Sequence, residues 1–218
     1  ASRQGLPMIP ALAETVAIAK YLLMIEATGV KAHFGLLSCG ASVELIRAAK
    51  AKGLPVTADV AMHQLHLTEQ LIDGFNSLAH VRPPLRSEQD KDLLRLGVKQ
   101  GVIDAICTHH EPLSSSAKMA PFAETLSGIS AFDTYVALGV QLIAEGVFEP
   151  LEWVEKVTSI PAQVANMTER WQQEAGWVLI DPACQWTVSK ETILSQGKNT
   201  PLIGQQLTGK VVMTFAQC

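Results

Sequence analysis

Side chains able to do chemistry gather in one short stretch, Thr108-His109-His110-Glu111, and a further histidine, His63, ends an apolar run upstream. Imidazole and carboxylate are good zinc ligands, so His63, His109, His110 and Glu111 could together hold a metal ion. The plainer reading has His109 and His110 simply lining a solvated pocket. The stretch begins with apolar residues (Val102, Ile103, Ala105, Ile106) and turns polar at once, which is how a barrel strand delivers side chains to an active-site rim. Asp59 and Asp104 also sit on strand-like runs, where a structural role outweighs acid–base work. Cys107, between Ile106 and Thr108, lacks a neighbouring base to form a thiolate. His33 lies within an apolar run and reads as a packed, hydrogen-bonded residue, not a ligand; His66 and His80 carry no motif.

The elements that must position these residues alternate. Leu12, Val16, Ala19 and Leu23 recur at helical spacing and Gly29 stops that helix. Ala32 to Leu37 predicts a strand, and a helix carrying Val43, Ile46 and Ala49 ends at Gly53, a favoured C-terminal glycine. Leu54 to Ala61 predicts the next strand, Thr68 to Ile72 a short helix and Ser77 to Val81 a third strand. Pro83-Pro84 then forbids a ladder. Ser87-x-x-Asp90 approximates a capping box for a helix with Leu93 and Leu94 inward, and Val102 to Thr108 predicts a fourth strand. Strands recurring roughly every two dozen residues with helices between them predict parallel β/α units. A complete eight-unit barrel needs about 250 residues, so half a barrel is expected here. Ser127 to Gly146 and Leu151 to Met167 predict helices, the second interrupted by Pro161. After Gly176, Trp177–Ile180, Gln185–Val188 and Lys210–Phe215 predict short strands of a small β-module. The expected division is a partial barrel over 1–170 and the module over 171–218, with Trp171 and Trp177 packing at the junction.

A chain of 218 residues that is 48% hydrophobic can bury a sizeable core. A net charge of -4, with Lys and Arg scattered, argues against nucleic acid as a partner. Cys39, Cys107, Cys184 and Cys218 are widely spaced and form no C-x-x-C pair, which argues against a disulfide framework or thiolate zinc site. No apolar run reaches the roughly 18 to 20 residues of a membrane span. The expected location is the cytoplasm.

Asp104-Ala-Ile-Cys-Thr-His-His-Glu-Pro-Leu113 resembles Asp-Ala-Ile-x-Thr-Asp-His-Ala-Pro-His, the last barrel strand of dihydroorotases. Other stretches resemble the same family in the same order. They are Pro55 to His63, Val81-Arg-Pro-Pro-Leu-Arg86 (Val-Asn-Pro-Pro-Leu-Arg in the family), Gly128-Ile129-Ser130, Trp186-Thr187-Val188 and Gly197-Lys-Asn-Thr-Pro201. Together they favour dihydroorotase over hydantoinase or allantoinase relatives. The resemblance implies an α/β fold, the C-terminal half of a TIM-type metal-dependent amidohydrolase barrel followed by the β-module. It also implies that an N-terminal half, on the same polypeptide or a cleaved companion, completes the barrel.

The family hydrolyses and closes a cyclic amide with zinc, which polarises a carbonyl and generates hydroxide. Against that pattern, Leu36 replaces a histidine ligand and Gln64 follows the retained His63. His109 replaces the aspartate that binds metal and shuttles the proton. Leu113 replaces a substrate-facing histidine, and Arg82 an asparagine that contacts substrate. His63 and His109 are the candidate metal residues; His109 and Leu113 are vestigial catalytic positions, and Arg82 and Gly128 vestigial substrate-binding ones. The resemblance implies a catalytically inactive dihydroorotase-like protein of pyrimidine biosynthesis, without a cofactor. Its expected partner is the catalytic chain of aspartate carbamoyltransferase, in a homo- or hetero-oligomer. The alternative is an active zinc enzyme interconverting carbamoyl aspartate and dihydroorotate.

Overall fold

Residues 4–174 and 176–215 are described by the computed structural model, so Cys218 lies outside them. Its centre is a parallel sheet in the order β1 (Ala32–Phe34), β2 (Val56–Ala61), β3 (Ala105–Cys107). The register sets Ala32 beside Val56 and Asp59 beside Ala105. Helix α1 (Ala11–Thr28) precedes β1, α2 (Gly40–Ala51) joins β1 to β2, α3 (Glu88–Lys99) joins β2 to β3, and α4 (Phe132–Ala144) follows. Parallel neighbours need such crossovers.

Local chemistry ends the elements where the sequence indicates. Gly29 takes φ 69° and returns its N–H to Ile25 O at 2.8 Å, and Gly53 follows α2 at φ 79°. Ser87 Oγ accepts from Asp90 N at 3.1 Å and opens α3, while Asp90 Oδ1 accepts from Gly40 N at 3.0 Å and so also holds the start of α2.

Three expectations are corrected. Ser77 to Val81 is not a strand: Ser77–Ala79 is a 3-10 turn in which Asn76 Oδ1 accepts from Leu78 N at 3.1 Å. His80 O is taken by Gly128 N and by Lys118 Nζ, each at 3.0 Å, which leaves it no ladder partner. The described sheet therefore has three strands, not four. The interruption expected at Pro161 in the 151–167 helix falls instead at Thr158 (φ -132°, ψ -83°), between α5 (Pro150–Val157) and α6 (Ser159–Val164). Pro161 falls in the first turn of α6, where its missing N–H costs nothing. A further helix, α7 (Thr168–Glu174), follows.

Asp181-Pro182 does not divide a strand either. β4 (Trp177–Thr187) runs through it, because Asp181 Oδ1 accepts from Ala183 N and Cys184 N and folds the residues between into an irregularity. β4 pairs antiparallel with β5 (Gln206–Phe215) as a two-stranded ribbon. Val188 and Leu207 at its base join one hydrophobic core with Ile106, Leu138 and Leu142. The far end is bare: Trp177, Leu179 and Phe215 are exposed.

Helix α1 is apolar on more than one side. Ile18 and Ile25 are its buried residues. At about 100° per residue, Leu12, Val16 and Leu23 lie on the opposite side, and they are 67%, 57% and 69% exposed. Ala17, Tyr21 and Met24 form one flank and, with Val30 and Phe34, line a groove of about 600 Å³ beside β1. β1 and β3 are both edge strands, a condition that invites further pairing.

Candidate functional site

Each strand hands the chain to a polar loop at its C-terminal end. After β1, Leu36 sits at φ 60° and donates its N–H to Asp59 Oδ1 at 2.8 Å. A branched side chain in the left-handed region costs roughly 1–2 kcal/mol, so the neighbouring carboxylate fixes a conformation that leucine does not favour. Asp59 also bonds His33 Nε2 at 2.8 Å and Cys107 Sγ at 3.4 Å. Burial raises its pKa, yet the His33 and Leu36 hydrogen bonds outweigh burial and hold it below the usual carboxylate value. Asp59 is thus a brace, as expected. Asp104, clasped by Lys50 Nζ at 2.7 Å and Ala58 N at 2.8 Å, is another. His33 is hydrogen-bonded, to Thr57 Oγ1 and Asp59, but lies exposed on the edge strand instead of packed within it. Burial, then Asp59, pushes the Cys107 thiol far up, which disfavours a thiolate there.

After β2, His63 is 2% exposed, and neither ring nitrogen has a hydrogen-bond partner among the described residues. Its ring faces that of His109 with centroids 5.6 Å apart and planes 25° apart. Burial, reinforced by His109, pushes its pKa down to about 3, so the ring is neutral and keeps a free lone pair at physiological pH. Gln64 is buried beside it and donates Nε2 to Pro83 O at 3.0 Å, which ties this loop to the Pro-Pro motif.

After β3, His109 takes φ 46°, with Nε2 3.7 Å from Glu111 Oε1 and Nδ1 unpartnered among the described residues. His110 turns away: its Nδ1 accepts from Ala131 N at 3.0 Å and Phe132 N at 3.2 Å. It therefore caps α4, and its ring stacks on Phe132 at 4.0 Å. That cap explains why α4 starts at Phe132 and not near Ser127. Glu111 N donates to Ile129 O at 2.8 Å. Asn199, 3% exposed, donates Nδ2 to Glu111 O at 3.0 Å and accepts from Leu113 N at 2.7 Å. A Cβ on Gly128 (φ 144°) would meet Glu111 Cβ at 2.9 Å, and one on Gly197 would meet Leu113 N at 2.4 Å. These two glycines let two loops close on the 109–113 segment.

The structure thus brings His63 and His109 together and sets Leu113 and Gly128 in the same loop frame, whereas His110 serves a helix and Arg82 is exposed on another loop. Sequence reasoning missed Asn199 as the clamp, although its motif was visible. It also missed Lys118, 7% exposed, whose Nζ donates to His80 O at 3.0 Å and Leu126 O at 2.8 Å; a lysine in a polar loop gives no signal.

Zinc would need convergent lone pairs. The two imidazoles of His63 and His109 would by themselves leave a zinc ion short of the three or four protein ligands it takes. Among the described residues, no group of three or more His, Cys, Asp or Glu side chains could hold a metal ion, and Leu36 offers no donor. These residues do not fit the ion by themselves.

No protein-family model matches the chain. It is 42% identical over 218 residues to a dihydroorotase-like protein of Pseudomonas aeruginosa, covering 99% of this chain and 51% of the relative. A dihydroorotase-like protein of Pseudomonas putida is 43% identical with the same coverage, and a dihydroorotase of Syntrophus aciditrophicus is 38% identical over 98% of this chain and 51% of its own. Among solved structures, L-hydantoinase from Arthrobacter aurescens superposes with a TM-score of 0.86 at 21% identity, over 95% of this chain and 48% of the other. The inactive dihydroorotase-like domain of the Chaetomium thermophilum CAD-like multifunctional protein gives 0.68 at 18% identity, over 92% of this chain and 53% of the other. The structural likenesses show the fold alone, that of part of a TIM-type barrel. The chain spans about half the length of the curated relatives it matches. On those identities, it belongs to the dihydroorotase family.

Proposed function

We propose that this chain is part of a dihydroorotase-like protein that has lost catalysis and acts as an assembly partner of the aspartate carbamoyltransferase catalytic chain. One observation carries the reading: the loop frame is kept while the reactive ends are not. Leu36 and His109 both take left-handed φ, at 60° and 46°; Asp59 holds Leu36 N, and Asn199 clamps the 111–113 segment that follows His109. Strained backbone of this kind clusters at functional sites. Yet the side chains it presents are a leucine without a lone pair and an imidazole where the family has a carboxylate.

Two surfaces support the assembly part. β/α units added at the free edge of β1 would cover the flank with Tyr21 and Met24. They would leave Leu12, Val16 and Leu23 pointing outward, an apolar stripe suited to a protein partner. The alternative, an active zinc enzyme whose remaining ligands come from an N-terminal half, draws on the unpartnered, neutral His63 ring.

The test is zinc per chain by elemental analysis on the longest natural form, purified without chelator, with dihydroorotate turnover and co-sedimentation with the transferase. Near-zero zinc, no turnover and co-sedimentation are expected. One or two zincs per chain with turnover would overturn the reading in favour of the alternative.

A further inference from the structure

The loop that takes the place of the expected third strand walls a groove of about 370 Å³, and the segment Pro7–Pro10 lines it from the N-terminal side. Its apolar lining includes Ile9, Leu85 and Phe122. The charges around it are uneven. Arg86 is committed, donating Nε to Ser38 Oγ at 3.0 Å and Nη1 to Ile9 O at 2.5 Å, with Glu14 Oε2 3.9 Å away. His80 is engaged with Thr125 Oγ1 at 2.8 Å and stacks on Phe122 at 4.9 Å. Burial, then Lys118 and Arg82, hold its pKa below the ordinary histidine value, so it adds no positive charge at neutral pH. Arg82 alone is an uncommitted cation: it is exposed and has no hydrogen-bond or ion-pair partner among the described residues. Glu69 on the same groove adds one negative charge.

A guanidinium presents a rigid fork that matches a carboxylate through two parallel hydrogen bonds. A groove of a few hundred Å³ with mostly apolar walls and a few polar groups is the usual form of a small-molecule site. One free guanidinium beside a glutamate suits a single negative charge better than a phosphate dianion. We propose that this groove binds a small monocarboxylate with an apolar body, its carboxylate on the Arg82 guanidinium and its body against Ile9, Leu85 and Phe122. The proposal goes beyond the assembly reading and stands or falls apart from it, because neither zinc nor the transferase enters it.

The experiment is an NMR titration of the chain and of its longest natural form with benzoate, benzamide and benzylamine. Benzoate is expected to bind at least about ten-fold more tightly than its neutral isostere benzamide, the worth of one charge-assisted pair. Benzylamine is expected to bind no better than benzamide. Arg82→Gln should abolish the preference for benzoate, and Arg82→Lys should keep part of it, since a point charge lacks the fork. Arg82 is exposed, so neither variant should disturb folding. Equal binding of benzoate and benzamide, an unchanged preference in Arg82→Gln, or binding that vanishes in the longer form because polypeptide fills the groove would each overturn the proposal.

Discussion

Replacing Asn199 by alanine removes two hydrogen bonds at once, from Leu113 N at 2.7 Å and to Glu111 O at 3.0 Å. A typical intramolecular hydrogen bond contributes about 1 kcal/mol net, and a buried group left without a partner costs about 1–3 kcal/mol. Asn199 is 3% exposed, but Glu111 is exposed and Leu113 half-buried, so water can satisfy part of what is lost. The expected destabilisation is therefore about 2–3 kcal/mol, or roughly 4–12 °C in Tm for a chain of this size. Calorimetry reads the total, and amide hydrogen exchange locates it. Leu113 N–H should exchange much faster in Asn199→Ala. Asn199→Asp separates the two bonds, since a carboxylate still accepts from Leu113 N but cannot donate to Glu111 O. Leu113 should then stay protected while stability still falls. A loss under about 0.5 kcal/mol in Asn199→Ala, or unchanged exchange at Leu113, would show that the 109–113 segment is not held by this clamp.

Substituting His63 with phenylalanine keeps the shape and removes both unpartnered ring nitrogens. Stability in denaturant should rise by about 1–3 kcal/mol, and a loss in the longest natural form would mean that His63 holds a ligand there. Asp59 has a lowered folded-state pKa, so its contribution is complete above the unfolded value near 3.8 and is lost as pH falls through the lower folded one. An acid titration of Asp59→Asn should lack that component, and an unchanged profile would deny the brace. Burial lowers the Lys118 pKa to about 8, so the folded state carries fewer protons than the unfolded state between there and 10.5. The urea midpoint of the native sequence should therefore rise with pH across that window relative to that of Lys118→Met, other groups being common to both; parallel profiles would refute it. Leu12→Asp with Leu23→Asp should abolish co-sedimentation with the transferase while leaving Tm nearly unchanged, because both side chains already face solvent; retained binding would remove the outward stripe from the interface.

The parallel β/α alternation was legible because its signals are local. Gly29, Gly53 and Ser87 each act within one turn of the helix they bound. What failed was decided by distant partners. Ser77 to Val81 has strand-like composition, but Lys118 and Gly128, far along the chain, take His80 O. α1 shows why periodicity alone misleads about direction. Leu12, Val16 and Leu23 do share a face, and that face points away from the core that Ile18 and Ile25 enter. In the site, the pairing of His63 with His109 followed from their places at strand ends, whereas His110 looked equally reactive and proved to be a helix cap.

The frame and the reacting groups obey different rules, and this bears on how such a site can decay. Leu36 holds a conformation that leucine does not favour, and His109 one that is uncommon outside glycine, so their own identities do not impose the geometry. The geometry comes from Asp59 beneath one loop, from Asn199 across another, and from Gly128 and Gly197, where any side chain would strike the 109–113 segment. Those residues also join the sheet, α4 and the loop between the ribbon's two strands, through bonds such as Ser130 N to Asn199 O at 3.0 Å. Losing one of them would loosen several elements together. Exchanging a histidine for Leu36, or an aspartate for His109, alters only what the loop presents. Chemistry can thus be lost from this site one side chain at a time while the frame, held by stability alone, stays in place.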